Sequence, residues 1–388
     1  MMSGVISHPM IHWLEDGKAC DARWRSESGA PPAACVVIAD VNLTADDAYG
    51  LACQGTALLW RGDFQHARQM LQALARRVDR RLNKPRKSAT SSMAGLPEAF
   101  HLYRQARSQR ARTLGALLIP LNDAYTIPLR RAPDIRQACM EAYGLGEVAS
   151  VASLRALLGV VGAHEWRTKG IDVPAAGGRI HPHYGVFAPI RSEYVDLVST
   201  APLPAARASS GVAFDIGTGT GVLAAVLARR GIGRVVATDV QPRALTCARE
   251  NLQRLGLAQR VDVVHADLFP AERAALVVCN PPWIPARPSS PIEAGIYDPE
   301  SRMLRGFLNA LPAHLEPEGE GWLILSDLAE HLGLRTRPQL LAEFAAAGLR
   351  VVDRTDVSPR HPRAADKTDP LHAARAAETT SLWRLAAC

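Results

Sequence analysis

Residues 211–239 read GVAFDIGTGTGVLAAVLARRGIGRVVATD, and this stretch decides the fold. GVAFDI (211–216) is a short apolar run of strand type, ended by glycines. TGVLAAVLARR (220–230) has helix-forming residues and an apolar face, and RVVATD (234–239) is again a strand. A strand, a helix and a second strand in so few residues predict a parallel pair with a crossover. The pattern continues outward. QPRALTCARENLQRLG (241–256) is a helix, and VDVVHA (261–266) and AALVVC (274–279) are strands. A helix around 301–313 precedes the strand GWLILS (321–326), and a helix over 337–347 precedes LRVVDRTD (349–356). TSLWRLAA (380–387) is the last strand. The alternation predicts an α/β, doubly wound parallel sheet. The final two strands lack a strong crossover between them, which predicts an antiparallel hairpin at the sheet edge.

The first strand runs into Asp215-Ile-Gly217-Thr-Gly219-Thr-Gly221. A glycine-rich turn between strand and helix lets a nucleotide approach the helix N-terminus. The dinucleotide fingerprint G-x-G-x-x-G fails, because its third glycine would fall on Val222. The spacing is G-x-G-x-G after an acid, with Asp239 closing the second strand and Asp267 following the third. Ligands of open α/β sheets bind at the carboxyl ends of the strands, where these acids stand. The set resembles motif I and its partner acids in class I S-adenosylmethionine (SAM) methyltransferases. That resemblance implies a Rossmann-like sheet and SAM as cofactor. It implies Asp215, Gly217, Gly219 and Gly221 at the cofactor, Asp239 on the ribose hydroxyls and Asp267 on the adenine amino group.

The fourth strand leaves through Asn280-Pro281-Pro282-Trp283. Proline has no N–H for a ladder, so the strand stops here. The prolines stiffen the turn and aim backbone carbonyls. The Asn280 oxygen and the Pro281 carbonyl can accept both hydrogens of a planar –NH2 group, and Trp283 offers a flat face. Held so, the nitrogen lone pair has the geometry for in-line attack. This motif resembles the (N/D)PP(Y/F/W) signature of amino and amide N-methyltransferases. NPPWI is similar to the NPPYI of the glutamine-directed HemK-type enzymes and their "methyltransferase small" relatives, with Trp in place of Tyr. The implied acceptor is a protein glutamine or an RNA base amine. HYGVFAPIRSEYVDLV (183–198) resembles the same group's lead-in segment, in which Phe187, Arg191 and Glu193 could line the site. The resemblance covers about residues 180–388 and does not extend over 1–175.

The remainder is read from composition. The chain has 388 residues, 47% hydrophobic and 21% charged, ordinary values for a globular protein of about two or three domains. Residues 1–175 are expected to form an α-rich, mixed α+β substrate-recognition domain, and 180–388 the catalytic one. Helices are predicted over 64–82, 97–112, 133–143 and 151–162, strand-like pieces over 114–131, and a polar loop over 84–95. The net charge is +7, yet residues 76–112 alone carry eleven Lys/Arg against two acids. That basic segment fits RNA phosphates, an acidic protein partner, or a plain solvated helix face. The expected partner is macromolecular: a ribosomal or translation-factor protein, or RNA. A small-molecule acceptor and a non-catalytic binding module are the alternatives. The seven cysteines are scattered without C-x-x-C pairs, so no metal site is expected and a reducing cytoplasm fits best. No membrane-spanning run and no signal peptide are read. The stretch 358–377, with His361 and His372, reads as an exposed loop insertion.

Overall fold

The computed structural model describes residues 9–82, 95–205, 211–359, 366–367 and 369–388. Residues 84–94 of the predicted loop 84–95, with Lys84, Arg86 and Lys87 among them, and His361 lie outside the described residues. The described residues fall into two compact units, one within 1–90 and 101–165, the other within 91–100 and 166–388.

The first unit holds a six-stranded sheet beside its helices, a mixed α+β arrangement, and of its strands only Leu117–Leu121 falls in the predicted strand-like pieces. Its strands are β1 (Met10–Glu15), β2 (Lys18–Arg25), β3 (Cys35–Ala39), β4 (Thr56–Trp60), β5 (Leu117–Leu121) and β6 (Ser150–Ser153), in the order β1-β2-β6-β5-β4-β3. β3, β4 and β5 are parallel, while β1–β2 and β5–β6 are antiparallel. These strands are short, and a run of five residues shows little periodicity. One signal was nonetheless present. Asp16-Gly17 joins β1 to β2 with φ of 51° and 76°, and Asp-Gly suits a two-residue hairpin turn that needs φ > 0 at both positions. The predicted helix over 64–82 is present as Phe64–Leu82, with Phe64, Ala67, Leu74 and Val78 buried along one face. Its three- and four-residue spacing is what packing one helix face demands.

The second unit opens with a small hairpin, β7 (Ile171–Val173) and β8 (Gly178–Ile180). Seven strands follow: β9 (Val212–Ile216), β10 (Arg234–Asp239), β11 (Val261–His265), β12 (Ala274–Cys279), β13 (Leu315–Ser326), β14 (Leu349–Val357) and β15 (Thr380–Ala387). The order is β11-β10-β9-β12-β13-β15-β14. β9 to β13 are parallel, and β15 runs antiparallel between β13 and β14. The predicted antiparallel pair is therefore present at the sheet edge, with β14 outermost. Helices Glu193–Thr200, Val222–Arg229 and Pro242–Arg254 contribute to one apolar layer, and Arg302–His314 and Arg337–Ala346 to the other. β12 is buried along its whole length, as a central strand covered on both faces must be.

Two differences from expectation have local causes. β13 starts at Leu315, six residues before the predicted strand, because a register shift between Ala274 and Leu276 on β12 absorbs the irregular Glu316-Pro-Glu-Gly stretch. Within the expected loop 358–377, His372–Ala377 forms a helical turn with Ala374 buried beside Leu371.

Candidate functional site

β9 and β12 are adjacent and parallel, and Cys279 pairs with Ile216. Gly217 and Asn280 are the next residues on each strand, so they leave the sheet side by side, about 5 Å apart. The chain reverses direction across the sheet at this pair, the point where open α/β sheets form their crevice.

On the β9 side, Asp215 is 1% exposed. Its Oδ2 accepts the Thr218 hydroxyl at 2.6 Å and the Ala224 N–H at 3.0 Å. Asp215 thus staples the turn to the first residues of helix Val222–Arg229. Burial raises its pKa to about 6. Gly217, Gly219 and Gly221 have φ of 71°, 54° and 80°. A Cβ on Gly217 would stand 2.5 Å from Met303 Cε, and one on Gly221 would press at 3.2 Å on the backbone of Ala248. Above Gly219 a Cβ would meet only Val186, at 4.0 Å, which leaves room for a ligand to approach the backbone. Asp239, half-buried at the end of β10, accepts Gly219 N–H at 3.1 Å and Gln241 N–H at 2.9 Å. Each oxygen keeps a lone pair for a further donor. Burial raises the Asp239 pKa against those bonds. Asp267 is differently engaged: it lies on the surface in an ion pair with Arg302, at 2.7 Å.

On the β12 side, Asn280 is half-buried and Pro281 buried. The Trp283 indole N–H donates to Asn280 Oδ1 at 2.9 Å. The indole is partly buried, packed against residues of both apolar layers. The exit of the turn is stitched to residues 296–298. Ile284 N–H donates to Ile296 O at 3.2 Å, and Asp298 N–H to Ile284 O at 2.9 Å. Asp298 is 5% exposed, and its two oxygens accept Met303 N–H (3.0 Å) and Leu304 N–H (3.1 Å) at the start of helix Arg302–His314. That cap sets Met303 over Gly217 and so ties the two turns together.

The lead-in segment reaches the same rim. Arg191 Nη1 donates to Glu378 Oε1 at 3.0 Å, and its guanidinium lies 5.9 Å from the Trp283 ring centroid. Phe187 packs on Gly295, where a Cβ would come within 2.8 Å of it. Glu193 is buried at the start of helix Glu193–Thr200.

Four residues here escaped the sequence reading: Thr218, Asn251, Asp298 and Glu378. Asn251 is fully buried. It accepts His181 N–H (2.8 Å) and donates to Thr220 O (3.0 Å), lacing the lead-in to the glycine turn. A signal existed, since Asn251 stands on the apolar stripe of its helix with Ala244, Cys247 and Ala248. A polar residue on such a stripe must have partners.

Among the described residues no group of three or more His, Cys, Asp or Glu could hold a metal ion. In the first unit, eight basic residues of the 76–112 segment are described, and several of them are engaged. Arg77 pairs with Asp46 (2.6 Å) and Arg110 with Asp79 (2.6 Å). Arg81 donates to Tyr49 and Arg107 to Tyr103. Arg76 and Arg80 are exposed. No helix among the described residues is long and apolar enough to cross a membrane.

Residues 177–337 match the family model described as methyltransferase small domain. The chain is 37% identical over 143 residues to the release factor glutamine methyltransferase of Cereibacter sphaeroides, covering 36% of this chain and 48% of that protein. It is 32% identical over 117 residues to the tRNA1(Val) (adenine(37)-N6)-methyltransferase of Vibrio cholerae, covering 29% and 49%. It is 49% identical over 72 residues to the ribosomal protein L11 methyltransferase of Pelotomaculum thermopropionicum, covering 18% and 23%. The chain thus spans about half the length, or less, of these relatives.

Proposed function

We propose, from the match of residues 177–337 to the methyltransferase small domain, that the chain is a SAM-dependent N-methyltransferase acting on a planar amide or amino nitrogen of a macromolecule. The observation that carries this reading is the Cys279–Ile216 pairing, which starts the Asn-Pro-Pro-Trp turn beside the glycine turn.

The residues at the glycine turn fit the cofactor. Gly219 leaves its backbone approachable, and Asp239 keeps acceptor capacity for two vicinal hydroxyls. Asp267 would take the adenine amino group on release from Arg302. When bound, SAM supplies an electrophilic methyl group on a sulfonium. The chain's own work is to hold the acceptor. The Pro281 carbonyl and the second lone pair of Asn280 Oδ1 accept the two hydrogens of the –NH2 group. This orients its lone pair and stabilises the charge that develops on nitrogen. Apolar residues around Trp283 keep water from the reacting atoms.

The acceptor in this reading is a glutamine side chain of a translation or ribosomal protein, or an RNA base amine, in the cytoplasm. Names of the relatives support both classes. The first unit, with exposed Arg76 and Arg80, would grip the macromolecule.

The test is label transfer from methyl-tritiated SAM to a purified bacterial release factor, to ribosomal protein and to tRNA. Label in any one supports the reading and names the acceptor class. Saturable SAM binding without transfer to any of them would make the chain a binding module. Absence of SAM binding would sink the reading.

A further inference from the structure

Trp283 is engaged at both ends of its ring system. Its N–H is spent on Asn280 Oδ1, at 2.9 Å. An indole nitrogen can only donate, so the Asn280 atom facing it must be the oxygen. An unrestrained asparagine amide turns about a broad, roughly two-fold torsion and can present either atom. The indole removes that freedom while leaving the oxygen a second lone pair.

The ring itself is braced. The Arg191 guanidinium lies 5.9 Å from its centroid. Arg191 is held at 3.0 Å by Glu378, whose side chain is 1% exposed. The Ser326 hydroxyl donates to the same carboxylate oxygen, Oε1, at 2.8 Å. Ser326 ends β13 and pairs with Thr380, two residues after Glu378, so this group sits on the carboxyl rim one strand over from Asn280. Glu378 Oε2 is buried with no hydrogen-bond partner. A buried carboxylate with one oxygen unsatisfied is costly, and such a group persists where its other contacts are useful.

We propose that Trp283 is a positioning residue for Asn280, and that half-buried Arg191, held by buried Glu378 and Ser326, fixes the ring of Trp283. The amide is then set before the acceptor nitrogen arrives. This deepens the proposed function and rests on it for its catalytic consequence, though not for its geometry.

Two measurements separate the geometry from the activity. The first needs no acceptor. The Trp283 indole N–H signal, identified by its loss in Trp283→Phe, is followed in 15N-labelled protein. It should move in Asn280→Ala and, by less, in Glu378→Gln, and in the wild type it should exchange slowly with solvent. A signal unmoved by Asn280→Ala overturns the proposal. The second is methyl transfer to a purified bacterial release factor. Trp283→Phe keeps an aromatic ring and removes the donor. It should lower kcat about 10- to 100-fold, the scale of a small misplacement at the reacting centre. KM for SAM and for the release factor should stay within about twofold. Glu378→Gln keeps the shape and should show a smaller loss of the same kind. Wild-type kcat in Trp283→Phe overturns the proposal. If the wild type does not methylate the release factor, that acceptor falls, and the indole signal still decides the lock.

Discussion

Asp215 and Asn280 stand on neighbouring strands and do different work. Asp215 answers two donors with one oxygen in the dry interior, and burial lifts its pKa from 3.8 to about 6. Between about pH 4 and 6 the folded protein keeps a proton that the unfolded chain has released. Stability therefore falls as pH rises through that window, by about 3 kcal/mol in total. Asp215→Asn retains an oxygen for Thr218 and Ala224 and removes the titration. Urea midpoints of this variant should change less between pH 4 and 6 than those of the wild type. An unchanged pH slope would mean that Asp215 titrates as an ordinary carboxyl. Asn280, in the proposed function, holds the acceptor nitrogen. Asn280→Ala should leave the SAM dissociation constant within about twofold and cut transfer by about 100-fold or more. Asp239→Ala should weaken SAM binding about 10- to 200-fold, the worth of the lost hydrogen bonds. Calorimetry and single-turnover rates would show whether the two losses separate in this way.

At the scale of elements, the caps and joints hold the rim. Asp298 carries the first turn of helix Arg302–His314 through two backbone N–H groups. Asp298→Ala leaves both unsatisfied and should cost about 1–3 kcal/mol. Because Met303 lies over Gly217, the same variant should also weaken SAM binding severalfold. Denaturant unfolding and a binding titration together check this, and a loss in stability alone would limit Asp298 to the helix. The helix Phe64–Leu82 calls for a more selective test than its charge count suggests. Arg77 is committed to Asp46 and Arg81 contacts Tyr49, so reversing them would damage the first unit itself. Arg76→Glu with Arg80→Glu touches only exposed charge. If the patch grips RNA, this pair should weaken binding and flatten its salt dependence by about two charges. Unchanged binding and salt slope would return the helix to a solvated face.

Across the whole molecule, burial sorts residues that look alike in sequence. Cys139, Cys247 and Cys279 are buried, while Cys35, Cys53 and Cys388 are exposed and Cys20 is half-buried. Burial pushes the Cys139 thiol up to about 11, Cys247 up to about 12, and Cys279 well up from its usual value. A thiol-reactive dye should label four cysteines in the native protein and the other three only after unfolding. Early labelling of any of the three would place it at the surface.

The alternation of apolar runs and helices over 211–387 was legible because each element spans a full period, and because Gly and Pro punctuate the chain by steric rules that need no partner. Of the short strands of the first unit only Leu117–Leu121 was read, within the pieces over 114–131, because the burial of the others comes from neighbours distant in the chain. Gly217 and Asn280 announce their turns locally. That they emerge together depends on β12 pairing with β9, a register that the local pattern does not encode. Asn251, Asp298 and Glu378 are ordinary polar letters until folding buries them beside specific donors. A side chain's chemistry is written in its type, but its partners are chosen by long-range packing, and only the assembled sheet brings the indole of Trp283 against Asn280 with Arg191 behind it.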